Sequence, residues 1–162
     1  FVMARACSSF IPTAQWPLVV GQMARVTQPG GWVEVRDFGQ VRSTNAALNA
    51  LTQRFTMLAQ ARDIHPGSGA FLQTYLTQAR LRDVQLRQVR LRSGAQRATR
   101  AGQLMLADYL AVLERVTPLV ARAGLASAEQ WQALVAQARH ETRMAPDTQY
   151  AEVELTAAFG RR

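Results

Sequence analysis

The chain has a single cysteine, Cys7, no lysine, two histidines and only 7% aromatic residues among its 162 positions. One cysteine excludes an internal disulfide and, without further ligands, a thiolate metal cluster, so its default role is that of a small buried hydrophobe. No apolar run approaches the ~20 residues that a membrane span needs. The first residues also lack a basic stretch leading into an apolar segment and a small-residue cleavage site. No membrane partner is therefore expected, and the expected location is cytoplasmic. His65 precedes Pro66 in a turn, where a hydrogen-bonding loop role is expected. His140 adjoins Glu141 on a helix, but neighbouring helical positions point about 100° apart. Neither histidine lies in a metal-binding pattern, and no Ser/His/Asp or Cys/His arrangement for nucleophilic catalysis emerges.

What is present is a globular composition, with 48% hydrophobic residues. That is enough for one core and one or two small domains. All 19 basic residues are arginine against 11 acidic ones, giving a net charge of +8. This balance favours anionic partners, and arginine without lysine fits either phosphate recognition or a coding bias of the source genome. Arg80, Arg82, Arg87, Arg90, Arg92, Arg97 and Arg100 crowd one segment. On a strand they alternate between two faces, which reads either as a solvated face or as the footprint of a nucleic-acid-binding module.

The periodicities give an ordered set of elements. Phe1, Val2 and Met3 read as a strand end, which raises the expectation that the polypeptide extends upstream. Trp16, Val19, Val20, Met23 and Val26 recur at helical spacing after Pro17, predicting a helix to about Thr27. Pro29, Gly30 and Gly31 stop it. "WVEVRDF" then reads as a strand with Asp37 and Phe38 at its C-terminal end, and a strand entered by a short turn from a helix belongs to a βαβ unit of a parallel sheet. A helix capped by Ser43 carries Leu48, Leu51, Phe55 and Leu58, and a shorter one starts at Ser68 or Gly69. Val84, Leu86, Val89 and Leu91 mark a strand whose spacing slips by one, consistent with a bulge. A helix from Gly102 is expected to kink or end near Pro118, and another begins at Ser127, which has capping-box spacing to Gln130. "YAEVELTAAFGRR" alternates as a strand with one wet face.

In this order the elements resemble the C-terminal half of a class I S-adenosylmethionine-dependent methyltransferase. The resemblance is carried by "FVMARACSSFIP", similar to the end of the family's fourth strand and its loop; by "WPLVVGQMARVTQPGGWVEVRDF", similar to its helix, Arg-Val-x-x-Pro-Gly-Gly turn and fifth strand; by "LTQARLRDVQL", similar to the approach to its sixth strand; and by "LTAAFGRR", similar to its seventh. The resemblance implies a Rossmann-like α/β sheet of parallel strands with an antiparallel edge strand. It also implies a single partial domain over 1–162 with a helical cap inserted at 43–80. The implied activity is methyl transfer from S-adenosylmethionine to a small, largely apolar acceptor.

The family's glycine-rich loop after its first strand and the acidic residue ending its second have no counterpart here, which implies that a missing N-terminal half supplies them and that this chain alone is inactive. By resemblance Met3, Ala4 and Arg5 lie beside the cofactor's methionine. Phe10 and Trp16 fall near the adenine edge or the substrate mouth, or in the core. Asp37, with Phe38, is placed for acceptor contact, or else serves as a strand-end cap. Phe55, with Leu51, Met57, Leu58 and Phe71, lines the cap or packs a core. A nucleic-acid-binding module is the runner-up function. A half-domain that pairs along its open sheet edge, with a partner or as a homo-oligomer, is the third reading.

Overall fold

The computed structural model describes residues 1–93, 98–144 and 150–162; Arg97 lies outside them. The fold is mixed α/β, with a four-stranded sheet carrying both parallel and antiparallel pairs. The strands are β1 (Val2–Arg5), β2 (Trp32–Ser43), β3 (Arg82–Ser93) and β4 (Ala151–Arg161). The helices are α1 (Trp16–Val26), α2 (Ala46–Gln60), α3 (Leu72–Gln78), α4 (Arg100–Arg115), α5 (Thr117–Arg122) and α6 (Ala128–Arg143). Short 3-10 turns precede α1 (Thr13–Gln15) and α3 (Ser68–Phe71).

The sheet order is β1-β2-β4-β3. β1 runs parallel to β2, with Val2 opposite Val33 and Arg5 opposite Arg36. β4 runs antiparallel to β2: Gly30 and Gly31 exchange backbone hydrogen bonds with Arg162 (3.0 and 2.9 Å), whereas the N–H of Thr44 reaches the carbonyl of Tyr150 (3.0 Å). The expected antiparallel edge strand is corrected here, because β4 lies inside the sheet and β1 and β3 form its edges. The expected wet face of β4 is corrected with it. The face expected to be wet is buried: Ala158 packs in the core with residues of α1 and α3, and Glu152 and Thr156 are buried as well.

The chain divides into two compact units, one of residues 1–40, 62–89 and 154–162, the other of 41–61 and 90–153. In the first, α1 begins with Pro17 in its first turn, where a missing N–H costs nothing. Trp16, Val20 and Met23, at i, i+4 and i+7, pack with Leu72, Tyr75 and Leu76 of α3 onto Val33, Val35 and Ala158. The helix ends as the Pro-Gly-Gly turn predicts. Thr27 leaves the helical region, its hydroxyl bonding back to the Met23 carbonyl (2.8 Å), and Gly30 takes a φ of 77° that disfavours side-chain-bearing residues.

In the second unit the N-cap of α2 is Asn45 rather than the expected Ser43, because β2 continues through Ser43; the Asn45 side chain accepts from the Leu48 N–H (2.7 Å). Pro118 divides α4 from α5, as expected, and sits in the first turn of α5. The Ser127–Gln130 capping box forms at α6. Trp131 of α6 is fully buried and its indole N–H donates to the Leu113 carbonyl (2.6 Å), tying α6 to α4. Leu48, Leu51, Leu110, Val120 and Val135 complete this core.

Candidate functional site

The candidate site lies in the first unit, at the carboxyl end of β1, where its parallel pairing with β2 stops at Arg5 and Arg36 while β2 runs on to Ser43; open α/β sheets bind ligands at such strand ends. The last rung of the pair is the Ala6 N–H donating to the Arg36 carbonyl (2.9 Å). Ala6 itself adopts a left-handed φ of 54°, turning the chain sharply out of the strand at a cost of about 1 kcal/mol. What holds that turn is Asp37, a buried carboxylate midway along the neighbouring strand, one residue past its last pairing with β1. One carboxylate oxygen accepts from the N–H groups of Cys7 (2.9 Å) and Ser8 (2.8 Å). The other accepts from the Ser8 hydroxyl and from the N–H of Phe38 (2.8 Å).

The far end of the same loop is fixed by a second acidic residue. Asp63, after α2, accepts through its carbonyl from the N–H (2.6 Å) and the hydroxyl (2.9 Å) of Thr13, while its carboxylate accepts from the N–H of Ala14 (3.3 Å). Those donors belong to the opening turn before α1, whose first N–H groups have no partner within the helix. Between the two ties, Phe10 stands 65% exposed at the tip, where its N–H and that of Ile11 turn back onto the Cys7 carbonyl (3.2 and 3.0 Å).

The site's electrostatics follow from this wiring. Burial, and then the Asp37 charge, push the Cys7 thiol above its ordinary value, with the Arg5 carbonyl opposing through a 3.3 Å contact to Sγ. The thiol is thus held protonated rather than primed as a nucleophile. Burial, followed by the charge of Asp63, likewise raises the Tyr75 phenol.

Of the residues singled out in the sequence, Arg5, Asp37 and Phe38 fall near the last rung of the β1–β2 pairing, where Arg5 stands opposite Arg36, and Asp37 and Phe38 point to opposite faces of β2. Ala4 packs into the core, while Met3 and Arg5 are exposed. Trp16 is 1% exposed and stacks on Tyr75, ring centroids 5.7 Å apart. Phe55 belongs to the second unit, edge-on to Tyr109 at 6.3 Å. Within the span 43–80, α2 falls in the second unit and α3 in the first. His65 accepts from the Gly67 N–H through Nδ1 (3.2 Å) and lies edge-on to Phe71. The arginine-rich strand is partly engaged: Arg90 and Arg92 pair with the buried Glu152.

Sequence reasoning missed Ser8 and Asp63. Ser8 had a local signal, two adjacent serines after a strand end. Asp63 had only its place before His65-Pro66, and nothing in the spacing joins it to Thr13, 50 positions away.

The described residues do not by themselves make up an S-adenosylmethionine site. The Asp37 carboxylate, the acid beside the carboxyl end of β1, already takes four donors of its own chain, leaving it unsuited to hold ribose hydroxyls. Among the described residues there is no group of three or more His, Cys, Asp or Glu placed to hold a metal ion, and no helix long and apolar enough to cross a membrane.

No protein family and no curated protein matches the chain. Among solved structures it is similar to Haemonchus contortus phosphoethanolamine N-methyltransferase 2 in complex with S-adenosyl-L-methionine, at 14% identity and a TM-score of 0.47, over 99% of this chain and 33% of that one. It is similar also to that enzyme in complex with phosphomonomethylethanolamine and S-adenosylhomocysteine, at 14% identity and a TM-score of 0.48 over the same shares. The chain thus spans one third of the length of these structures.

Proposed function

We propose that this chain forms the acceptor side of an S-adenosylmethionine-dependent methyltransferase for a small, largely apolar acceptor, with the glycine-rich cofactor loop supplied by another segment. The observation that carries the reading is the loop 6–15, tied by Asp37 and Asp63 at the carboxyl end of β1, where its pairing with β2 stops. Methyl transfer demands alignment and exclusion of water more than acid–base work from the protein. A loop fixed at both ends and presenting Phe10 meets that demand. In this reading the backbone of Met3, Ala4 and Arg5 borders the cofactor, Phe10 and Phe38 contact the acceptor, and Asp37 acts by holding the loop. In this reading the enzyme works in the cytoplasm, where a free thiol such as Cys7 persists.

The test is expression of the whole reading frame that encodes this chain, followed by calorimetric titration with S-adenosylmethionine. Binding by the full product and none by residues 1–162 is the expected outcome. A full product without a strand and glycine-rich turn, and without cofactor binding, would end the reading.

A further inference from the structure

The sheet of the first unit is packed on one side only by its own helices. The core cluster takes Val33 and Val35 from β2, Ala158 from β4, Val84 and Leu86 from β3, and Val2 and Ala4 from β1, with α1 and α3 both contributing to that cluster. Side chains alternate along each strand, so the intervening residues point to the opposite face. There Met3 is 50% exposed, Trp32 36% and Val89 54%. Leu155, Ala157 and Phe159 are half-buried beside them. Trp32 and Phe159 pair at 6.0 Å between centroids, and the Arg87 guanidinium lies 5.5 Å from the Phe159 ring centre. Arginines predominate around this apolar strip: Arg5, Arg87 and Arg161 are exposed, while Glu34 is engaged by Arg36 and Asp83 is the remaining acid.

We infer that this face is a docking surface for an amphipathic helix whose apolar stripe is flanked by acidic residues. Two observations select that occupant. An apolar sheet face is buried against another element, and on the opposite face of this same sheet the covering elements are the helices α1 and α3. The arginine surround then complements acidic flanks, with Arg5 and Arg161 at the margins and Arg87 over the aromatic pair. A single-stranded nucleic acid fits less well, because Arg87 already occupies one face of Phe159, and Met3, Leu155, Ala157 and Val89 offer bases nothing to stack on. The inference does not rest on the proposed methyl transfer: it uses neither Asp37 nor the loop 6–15, and it takes the side chains of Met3 and Arg5, where that reading takes their backbone.

Trp32 is its built-in reporter, since Trp16 and Trp131 are 1% and 0% exposed and emit as buried indoles throughout. The 162-residue chain is titrated with a designed helical peptide carrying a leucine stripe and glutamate flanks, with the same peptide carrying lysine flanks, and with single-stranded oligouridine. A saturable blue shift with the glutamate peptide is expected, at least about tenfold tighter than with the lysine peptide. Arg87→Glu, a surface change checked for folding by circular dichroism, should narrow or reverse that preference, and Trp32→Phe should abolish the shift but not the binding heat. Equal affinity for the two peptides, no shift with either, tighter binding of oligouridine, or a shift produced by raising the protein concentration alone would each overturn the assignment.

Discussion

Ser8 donates to Asp37 twice, through its backbone N–H at 2.8 Å and through its hydroxyl, across 29 positions of sequence. Both groups are buried, so neither has water as an alternative partner. Asp37→Ala leaves the Cys7 and Ser8 N–H groups unpaired and should destabilise the chain by about 3 kcal/mol, whereas Ser8→Ala should cost about 1.5 kcal/mol. Urea unfolding measures both, and the double variant should cost less than the sum because the two share one bond. Full additivity would mean that the hydroxyl and the carboxylate do not interact.

Cys7 gives a pH-dependent readout of the same turn. Burial raises its thiol and the Asp37 charge raises it further. Removing that charge in Asp37→Asn should move the midpoint of iodoacetamide reactivity to lower pH. A midpoint that moves upward, or stays in place, would contradict the arrangement.

Two glycines on helices should respond to alanine with opposite signs. A Cβ on Gly102 would lie 1.9 Å from the Arg92 carbonyl oxygen, which is backbone and cannot swing aside, while a Cβ on Gly21 of α1 meets nothing within 4 Å. Gly102→Ala should therefore destabilise by about 3 kcal/mol, and Gly21→Ala should stabilise by about 0.5–1 kcal/mol through helix propensity. Thermal denaturation distinguishes them, and equal shifts in midpoint would refute the close approach at Gly102.

Thr156 on β4 is 1% exposed, and its hydroxyl has no hydrogen-bond partner; the same holds for the Ser68 hydroxyl. Replacing an unsatisfied buried hydroxyl by a methyl of similar shape removes a desolvation cost. Thr156→Val is expected to raise stability by about 1 kcal/mol in chemical denaturation, and a loss of that size would show that the hydroxyl is satisfied in solution.

The Tyr109 phenol is pushed up to about 12 by burial, while its hydroxyl donates to Thr52. Because its folded value exceeds the unfolded one, its contribution is complete below about pH 10 and is lost as pH climbs towards 12. Stability of the parent chain should fall more steeply over that interval than that of Tyr109→Phe. Parallel curves would show that the phenol is not desolvated.

Local signals were legible where they act locally. Pro17, the Pro29-Gly30-Gly31 corner, Pro118 and the Ser127–Gln130 box each governed a helix end through backbone geometry within a few residues, and each stands where the sequence implied. The start of α2 was misjudged because Ser43 and Asn45 are both good caps, and only the pairing of β2 with the segment at Tyr150 decides between them. The insertion of β4 between β2 and β3 left no local mark. Asp37 and Phe38 were misplaced at a strand end, because β2 continues past them to Ser43 beside the segment at Tyr150. The ties of Asp37 to Cys7 and Ser8, and those of Asp63 to Thr13 and Ala14, depend on contacts across 29 to 50 positions that no periodicity encodes.

The interior position of β4 has a consequence for synthesis. Every residue of the second unit has been made once Val153 is added, whereas the first unit needs Glu154–Arg162. Until those residues leave the ribosome, β2 and β3 have no strand to join them. The nascent chain is then at its most vulnerable to chaperone capture or aggregation, however early its helices form.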